Sequence, residues 1–142
     1  MILSKFDDLI NLERKAMDFR NLRQDIIASN VANVNTPNYN ASGINFETNL
    51  KAAAKLTDDS MELKMADTNP RHLAQKIPTI DDVQPLWLTC RDFSLHNDLN
   101  SVDLDQEMAR MSENNILYAA VSGVIKKRLA GMNDLITTAS SR

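Results

Sequence analysis

A heptad repeat in the last third of the chain most constrains its fold. From Leu104 onward, positions spaced alternately four and three residues apart are Leu104, Met108, Met111, Asn115, Tyr118, Ser122, Ile125, Leu129, Met132 and Ile136. All but Asn115 and Ser122 are apolar or aromatic. Such spacing forms one apolar line along a helix, which is best buried against another helix. The sequence therefore predicts a long C-terminal helix, residues 101–142, that packs on a partner.

A second apolar stripe lies on another face of the same helix. It comprises Leu117, Val121, Val124 and Leu135, and it is interrupted by Arg128 and Gly131. One helix of the same chain cannot cover both faces, so we expect another molecule to pack on the second one. A long amphipathic helix in an ordinary bundle explains the pattern equally well.

The N-terminal region, residues 1–36, is predicted to be the partner helix. The positions that follow its heptad spacing are Leu9, Leu12, Ala16, Phe19 and Ile26. Arg23 and Asn30 interrupt the stripe, and Glu13, Arg20 and Gln24 lie beside it, so these polar groups would need partners if buried. Thr36-Pro37 should end the helix, because proline lacks the N–H donor and restricts the residue before it.

The middle of the chain, residues 37–100, is predicted to be an irregular, partly extended connection. Alternation at Ile44 and Phe46, and again across 61–65, favours short strands, whereas 49–56 is alanine-rich and favours a helix. Trp87 would anchor this segment on its own helices or on a neighbouring subunit. We therefore predict a mainly α fold: one elongated module with two long terminal helices paired antiparallel, in the manner of a coiled coil.

Two details of the helix pair follow from its polar residues. Asp98, Asn100 and Ser101 precede the C-terminal helix and are predicted to cap its N-terminus. Asn115 and Ser122 interrupt the apolar line and are candidates for fixing its register against the N-terminal helix, because a buried polar residue can specify register.

Composition excludes several classes of function. With 16 basic and 19 acidic residues and no long charged run, nucleic-acid binding is not indicated. The single cysteine, Cys90, forms no intramolecular disulfide, and its spacing from His72 and His96 matches no usual zinc pattern. The three glycines do not cluster into a phosphate-binding loop. We expect no catalytic residue, cofactor or metal, and neither a cleaved signal peptide nor a membrane span.

Residues 28–39, Ala-Ser-Asn-Val-Ala-Asn-Val-Asn-Thr-Pro-Asn-Tyr, resemble the N-terminal signature of bacterial flagellar rod and hook proteins. That signature is roughly A-x-N-x-A-N-x-x-T-P-G-Y, and its matches include Asn30, Ala32, Asn33, Thr36, Pro37 and Tyr39. Asn38 replaces the usual glycine. Glycine tolerates the positive φ of such a turn best, and asparagine is the next most tolerant residue.

The other end of the chain resembles the C-terminal signature of the same proteins. The similarity covers 102–108, Asn114-Asn115 and 118–120, and it is carried by Asp103, Glu107, Met108 and Tyr118. The length, and residues 68–73 in the middle, resemble the B-type proximal-rod members, with the C-type members as the near alternative.

This resemblance implies a structural subunit of the flagellar basal body that polymerises helically into the proximal rod, the base of the drive shaft. It also implies export by the flagellar type III apparatus without signal cleavage, and a location in the periplasm. The implied partners are other rod subunits, the rod-base adaptor protein and the inner-membrane MS ring. A cytosolic coiled-coil adaptor is the alternative of another class.

The residues expected to form the assembly seam come from both terminal helices. They are Leu9, Leu12, Phe19, Ile26, Leu104, Met111, Ile125, Leu129, Met132 and Ile136.

Overall fold

Two long helices and a small sheet make up the fold. The structure, a computed structural model, describes residues 2–57, 80–89 and 98–140. In chain order the elements are α1 (Ile2–Ala32), β1 (Ser42–Asn45), α2 (Glu47–Thr57), a 3-10 turn (Ile80–Asp82), β2 (Leu86–Thr89) and α3 (Leu104–Ser140). The strand predicted across 61–65 lies outside the described residues. Among the described helices, none is both long and apolar enough to cross a membrane.

The helices α1 and α3 pack side by side in opposite directions. Three side-chain pairs join them: Asn30 with Glu107, Gln24 with Asn114, and Glu13 with Arg128. Residue numbers fall along α1 as they rise along α3, so the helices are antiparallel. The predicted fold class, a mainly α chain with paired terminal helices and a less regular middle, is confirmed.

The helix α1 ends shortly before Thr36-Pro37, as predicted. α1 stops at Ala32, and tight turns follow, with the N–H of Thr36 donating to the carbonyl of Asn33. Asn38 has a φ of 60°, the left-handed conformation that its position in the signature led us to expect. Its backbone N–H donates to the carbonyl of Asp98 at 2.9 Å, which brings the start of the C-terminal region beside the end of α1.

A different residue from those predicted caps α3. The carboxylate of Asp103 accepts a hydrogen bond from the N–H of Gln106 at 3.2 Å, as an N-cap residue does for the third helical residue. Asn100 and Ser101 use their side chains elsewhere, as described below. The cap prediction was wrong because it assumed that polar residues near a helix start act on that helix.

The apolar core forms between α1 and the middle segment. Its buried members are Phe19, Ile26, Ile44, Phe46, Ala53, Ile80 and Val83. Leu12, Leu22 and Leu50 pack against this cluster, and the rings of Phe19 and Phe46 lie 5.2 Å apart between centroids. The cluster contains no residue of α3, so Leu12, Phe19 and Ile26 of the α1 stripe pack against the connection and not against the C-terminal seam, while Leu9 is 38% exposed. We had expected the two apolar seams to face each other.

The predicted apolar line of α3 is consequently divided. Met111, Tyr118, Ser122, Ile125 and Met132 are half-buried, whereas Leu104, Met108, Asn115, Leu129 and Ile136 are exposed. On the covered side, Met108, Asn115, Ser122 and Leu129 are each replaced by the residue before them. The covered contact line of α3 is Glu107, Met111, Asn114, Tyr118, Val121, Ile125, Arg128 and Met132.

Polar pairing explains this change of face. Since half of the positions move by one residue, the contact line is rotated by about 50°, half of the 100° step between helical residues. Glu107, Asn114 and Arg128 turn toward α1 because Asn30, Gln24 and Glu13 offer them hydrogen bonds or opposite charge. Asn115 is exposed, so the polar contact expected of it is made by Asn114.

Candidate functional site

The signature residues of both chain ends meet in a polar junction at the C-terminal end of α1. We define the junction as Asn30, Tyr39, Asn100, Ser101 and Glu107. Asn30 and Glu107 come from facing helices, Tyr39 from the turn after α1, and Asn100 and Ser101 from the residues that lead into α3. All except Tyr39 are buried. Buried polar groups remain stable only when they are hydrogen-bonded, so each contact matters to the fold.

Asn30 connects α1 with the strand, the turn and α3. Its amide nitrogen donates to the carbonyl of Ser42 at 2.8 Å and to the Glu107 carboxylate at 3.3 Å. Its amide oxygen accepts from the N–H of Ser42 at 3.1 Å and from the Tyr39 hydroxyl at 3.3 Å. Both amide atoms are therefore occupied, and a residue with only donors or only acceptors could not replace them.

The Asn100 side chain binds the turn that follows α1. Its amide nitrogen lies 2.9 Å from the carbonyls of Asn33 and Val34 and 3.0 Å from that of Thr36. Its amide oxygen accepts from the N–H of Val102 at 2.8 Å. These three carbonyls belong to the turn that follows α1. Asn100 therefore holds this turn from a position far along the chain.

Ser101 and Tyr39 join the turn to the chain entering α3. The N–H of Ser101 donates to the carbonyl of Tyr39 at 3.0 Å. The Ser101 hydroxyl accepts from the N–H of Ala41 at 2.8 Å. Ser101 thus binds the turn after α1 both through its backbone N–H and through its side chain. These two bonds fix where α3 starts relative to α1.

Glu107 places a buried carboxylate in the junction. Its side chain is 2% exposed, and one oxygen pairs with Arg110 at 2.6 Å while the other accepts from Asn30. A buried charge requires pairing and hydrogen bonds to offset the loss of hydration. Glu107 therefore depends on both partners.

A second charged group, formed by Arg23, Phe46 and Glu47, supports the strand. The Arg23 guanidinium pairs with the Glu47 carboxylate at 2.6 Å, donates to the carbonyl of Ile44 at 3.0 Å and lies 4.5 Å from the Phe46 ring centroid. Burial on its own raises the pKa of Glu47. Hydrogen bonds from Arg23 and from the backbone N–H groups of Glu47 and Phe46, with the Arg23 charge, outweigh burial and lower that pKa below its ordinary value.

This lowered pKa predicts a loss of stability in acid. A carboxyl group whose pKa is depressed by folding stabilises the fold above its unfolded pKa, and this contribution disappears as pH falls through the folded value. The effect should begin below about pH 4.5 and stay under about 1 kcal/mol, because the Glu47 side chain is 40% exposed. Urea denaturation between pH 3 and 7 should show a shallower acid slope for Glu47→Gln than for the parent chain. Identical slopes would contradict this assignment.

The contact between α1 and α3 beyond the junction is incompletely satisfied. Glu13 pairs with Arg128 at 3.0 Å, and the Asn114 amide nitrogen donates to the carbonyl of Arg20 at 2.9 Å. Among the described residues, buried atoms of Glu13 (Oε2), Arg20 (Nε and Nη1) and Asn114 (Oδ1) have no hydrogen-bond partner. Burial, and then the charge of Arg23, lower the pKa of the Arg20 guanidinium, against the opposing effect of Glu47 and Glu113. Polar atoms left unpaired cost free energy, so this contact stabilises the helix pair weakly.

The remaining signature residues lie at the end of α1, in the turn after it, and along α3 from its N-cap onward. Asn33 donates to the carbonyl of Ser29 and Thr36 donates to the Asn33 side chain. The others are Ala32, Pro37 and Met108, which are exposed, and Asp103 and Tyr118, which are half-buried. The structure assigns Asp103 to the cap of α3.

No metal-binding chemistry is found in the part of the chain that the structure describes. No group of three His, Cys, Asp or Glu side chains is arranged there to hold a metal ion. Cys90, His72 and His96, which sequence analysis set aside as a thiol or zinc site, lie outside the described residues. The junction offers structural hydrogen bonds, and its chemistry is that of a helix-pairing device.

Comparison with known proteins gives the family. The family model described as "Flagella basal body rod protein" matches residues 10–40, which contain Asn30 and the turn that follows α1. Similar proteins include the flagellar basal body rod protein FlgB of Borrelia hermsii, which is 31% identical over 132 residues, covering 92% of this chain and 97% of that protein. FlgB of Borreliella burgdorferi is 29% identical over 123 residues, 86% of this chain and 90% of that protein. FlgB of Salmonella typhimurium is 27% identical over 136 residues, 95% of this chain and 97% of that protein. The chain therefore belongs to the FlgB family of flagellar basal body rod proteins.

Proposed function

We propose that this chain, a structural subunit of the flagellar basal body rod, forms part of the proximal rod and polymerises helically through exposed flanks of α3. The observation that supports this proposal is apolar exposure on both sides of the α3 contact line. The first flank is Met108, Leu129 and Ile136, and the second flank is Leu117 and Val124. Their side chains are 36% to 61% exposed. Leu104 and Leu135, which are also exposed, continue the contact line at its two ends.

The two flanks point in different directions. At about 100° per residue, the first flank lies on one side of the contact line and the second flank lies on the other. Exposed apolar side chains in continuous patches mark interaction surfaces. Two different surfaces on one subunit generate head-to-tail contacts, which build open helical filaments. This is the geometry that a rod subunit needs.

The weak contact between the helices agrees with this function. Polar pairs, some incompletely satisfied, help to hold α3 on α1, while the apolar side chains of the two flanks remain available to neighbours. We propose that rod subunits supply the apolar cover that α1 does not. The assembly seam predicted from the sequence thus retains Leu104, Leu129 and Ile136 as candidate contacts between subunits.

Membership of the family supports association with other basal body rod components. We further propose that the rod-base adaptor protein and the inner-membrane MS ring contact the subunit in the periplasm. We also propose that the flagellar export apparatus secretes it without signal cleavage, and that its role is structural and not enzymatic. Purified basal bodies that lack the chain would favour the cytosolic adaptor alternative.

Replacing Leu129 with aspartate should separate assembly from folding. Leu129 is 49% exposed, so the substitution should change the free energy of unfolding of the free chain by no more than about 0.5–1 kcal/mol. A charge in an apolar contact between subunits should strongly reduce the amount of chain recovered in purified basal bodies and reduce swimming. Asn133→Asp, at another exposed position of α3, is the matched control. Equal recovery of both variants would overturn the proposed role of the first flank.

A further inference from the structure

The two edges of the small sheet differ in how they are covered. β1 and β2 are antiparallel, with Ser42 opposite Thr89, Gly43 opposite Leu88, Ile44 opposite Trp87 and Asn45 opposite Leu86. On the outer side of β1, the Asn30 side chain binds both the N–H and the carbonyl of Ser42. Arg23 binds the carbonyl of Ile44. The outer edge of β1 is therefore closed by α1.

The hydrogen bonds from α1 to β1 determine which backbone groups of β2 point away from β1. Backbone groups of successive strand residues point to opposite sides within the plane of the sheet. Since Ser42 and Ile44 point toward α1, Gly43 and Asn45 point toward β2, where they face Leu88 and Leu86. The N–H and carbonyl groups of Trp87 and Thr89 must then point away from β1. Within the described ranges, β2 pairs with no other strand.

The side chains of β2 add apolar surface beside this edge. Leu86 and Leu88 lie on one face of the sheet, and Trp87 lies on the other. Leu86, Trp87 and Leu88 are 59%, 61% and 44% exposed. Soluble proteins usually protect such edges with charged residues, proline or bulges. β2 consists of Leu-Trp-Leu-Thr and contains no charged residue and no proline. Its open edge therefore combines unprotected backbone groups with apolar side chains.

We propose that the outer edge of β2 docks an extended segment of a neighbouring basal body protein as an added strand. That segment pairs with the backbone of Trp87 and Thr89 and places uncharged, apolar side chains at alternate positions beside Leu86, Trp87 and Leu88. The identity of the neighbour rests on the proposed function, whereas the geometry of the edge does not. The edge adjoins the second flank of α3, because Leu88 and Leu117 line the same cavity.

A second copy of β2 is a poorer occupant of this edge. Two identical strands that pair antiparallel are related by a two-fold axis, which closes a dimer. Subunits of a rod that grows in one direction are related by a screw axis, so the same edge cannot serve both copies in that way. The incoming strand therefore belongs to a different segment.

Amide hydrogen exchange at single-residue resolution tests this docking. In the purified free chain, at both micromolar and millimolar concentration, the Trp87 and Thr89 amides should exchange faster than those of Leu86 and Leu88. In purified basal bodies, exchange at Trp87 and Thr89 should slow by about tenfold or more, as for amides that gain strand pairing. Protection in the dilute free chain, or gained by the free chain at high concentration, would assign the edge to the chain itself or to a second copy and overturn the proposal.

Substitution of Thr89 adds a second readout. Thr89→Pro removes the outward N–H without touching the pairing with β1, and proline is tolerated at such edge positions. It should abolish protection of the Trp87 amide in basal bodies, whereas Thr89→Ala, which keeps the N–H, should preserve it. Unchanged circular dichroism melts of both free chains show that the fold is intact. Fast exchange at Trp87 in basal bodies that contain the parent chain would overturn the edge proposal alone, and absence of the chain from basal bodies would overturn both proposals.

Discussion

Replacing Asn30 with aspartate should lower the free energy of unfolding by about 3–5 kcal/mol at neutral pH. Aspartate has the shape of asparagine and retains the oxygen that accepts from Ser42 and Tyr39. It loses the nitrogen that donates to the Ser42 carbonyl and to Glu107. It also places a second carboxylate beside the Glu107 carboxylate, in a site where Asn30 is 1% exposed. Urea denaturation followed by circular dichroism measures the loss.

The pH dependence of this variant distinguishes charge repulsion from a packing defect. Protonation of the introduced aspartate relieves the repulsion, so the difference from the parent chain should shrink as the pH is lowered. Asn35→Asp, at an exposed position just after α1, should change stability by no more than about 0.5 kcal/mol. A loss below 1 kcal/mol for Asn30→Asp would contradict the structural role given to Asn30.

Replacing Asn100 with alanine should lower the free energy of unfolding by about 2–4 kcal/mol. The variant removes the only side chain that the described structure places on the carbonyls of Asn33, Val34 and Thr36. It also leaves the N–H of Val102 without the acceptor that Asn100 provides. Urea denaturation gives the total loss, and amide exchange in the turn that follows α1 should become faster.

An aspartate at the same position should be worse than alanine. Asn100→Asp keeps the acceptor for Val102 but turns a negative charge toward the carbonyl end of α1, where the helix dipole is also negative. Asn40→Ala, which truncates an exposed asparagine of the same region, controls for loss of an amide. If Asn100→Asp proved more stable than Asn100→Ala, the assignment of the Asn100 nitrogen to the carbonyls of the turn after α1 would be wrong.

The sequence predicted the helix pair because periodic apolar positions are a local signal. The spacing from Leu104 to Ile136 indicated α3, and Thr36-Pro37 marked the end of α1 to within a few residues. The polar residues that were expected to need partners include Glu13 and Gln24, and the structure pairs them with Arg128 and Asn114. The signature residue Asn38 indicated a turn with positive φ, which the structure has.

The sequence did not predict which part of the molecule covers the apolar face of each long helix. A heptad pattern marks an apolar face but does not say whether that face meets a helix of the same chain, a connecting segment or a neighbouring subunit. Phe19 and Ile26 of α1 are covered by the connection through Ile44, Phe46 and Val83. The face of α3 that meets α1 is consequently more polar than its apolar periodicity implied.

The role of Asn100 was missed for a related reason. The three carbonyls that it binds lie 64 to 67 residues away along the chain, so no local pattern connects them. Its position directly before the C-terminal signature is the one sequence feature that could have indicated it. Fold class was thus predictable from local periodicity, whereas the polar junction that joins the two chain ends required the coordinates.

Solvent accessibility of Leu129 in the free chain and in the rod tests the central claim most directly. The claim is that apolar flanks of α3, left exposed by a polar contact with α1, are buried by neighbouring subunits. A Leu129→Cys variant in a Cys90→Ser background would be treated with a maleimide reagent, both as purified chain and within purified basal bodies. We predict rapid labelling of the free chain and protection in basal bodies. Equally rapid labelling in both would contradict the account.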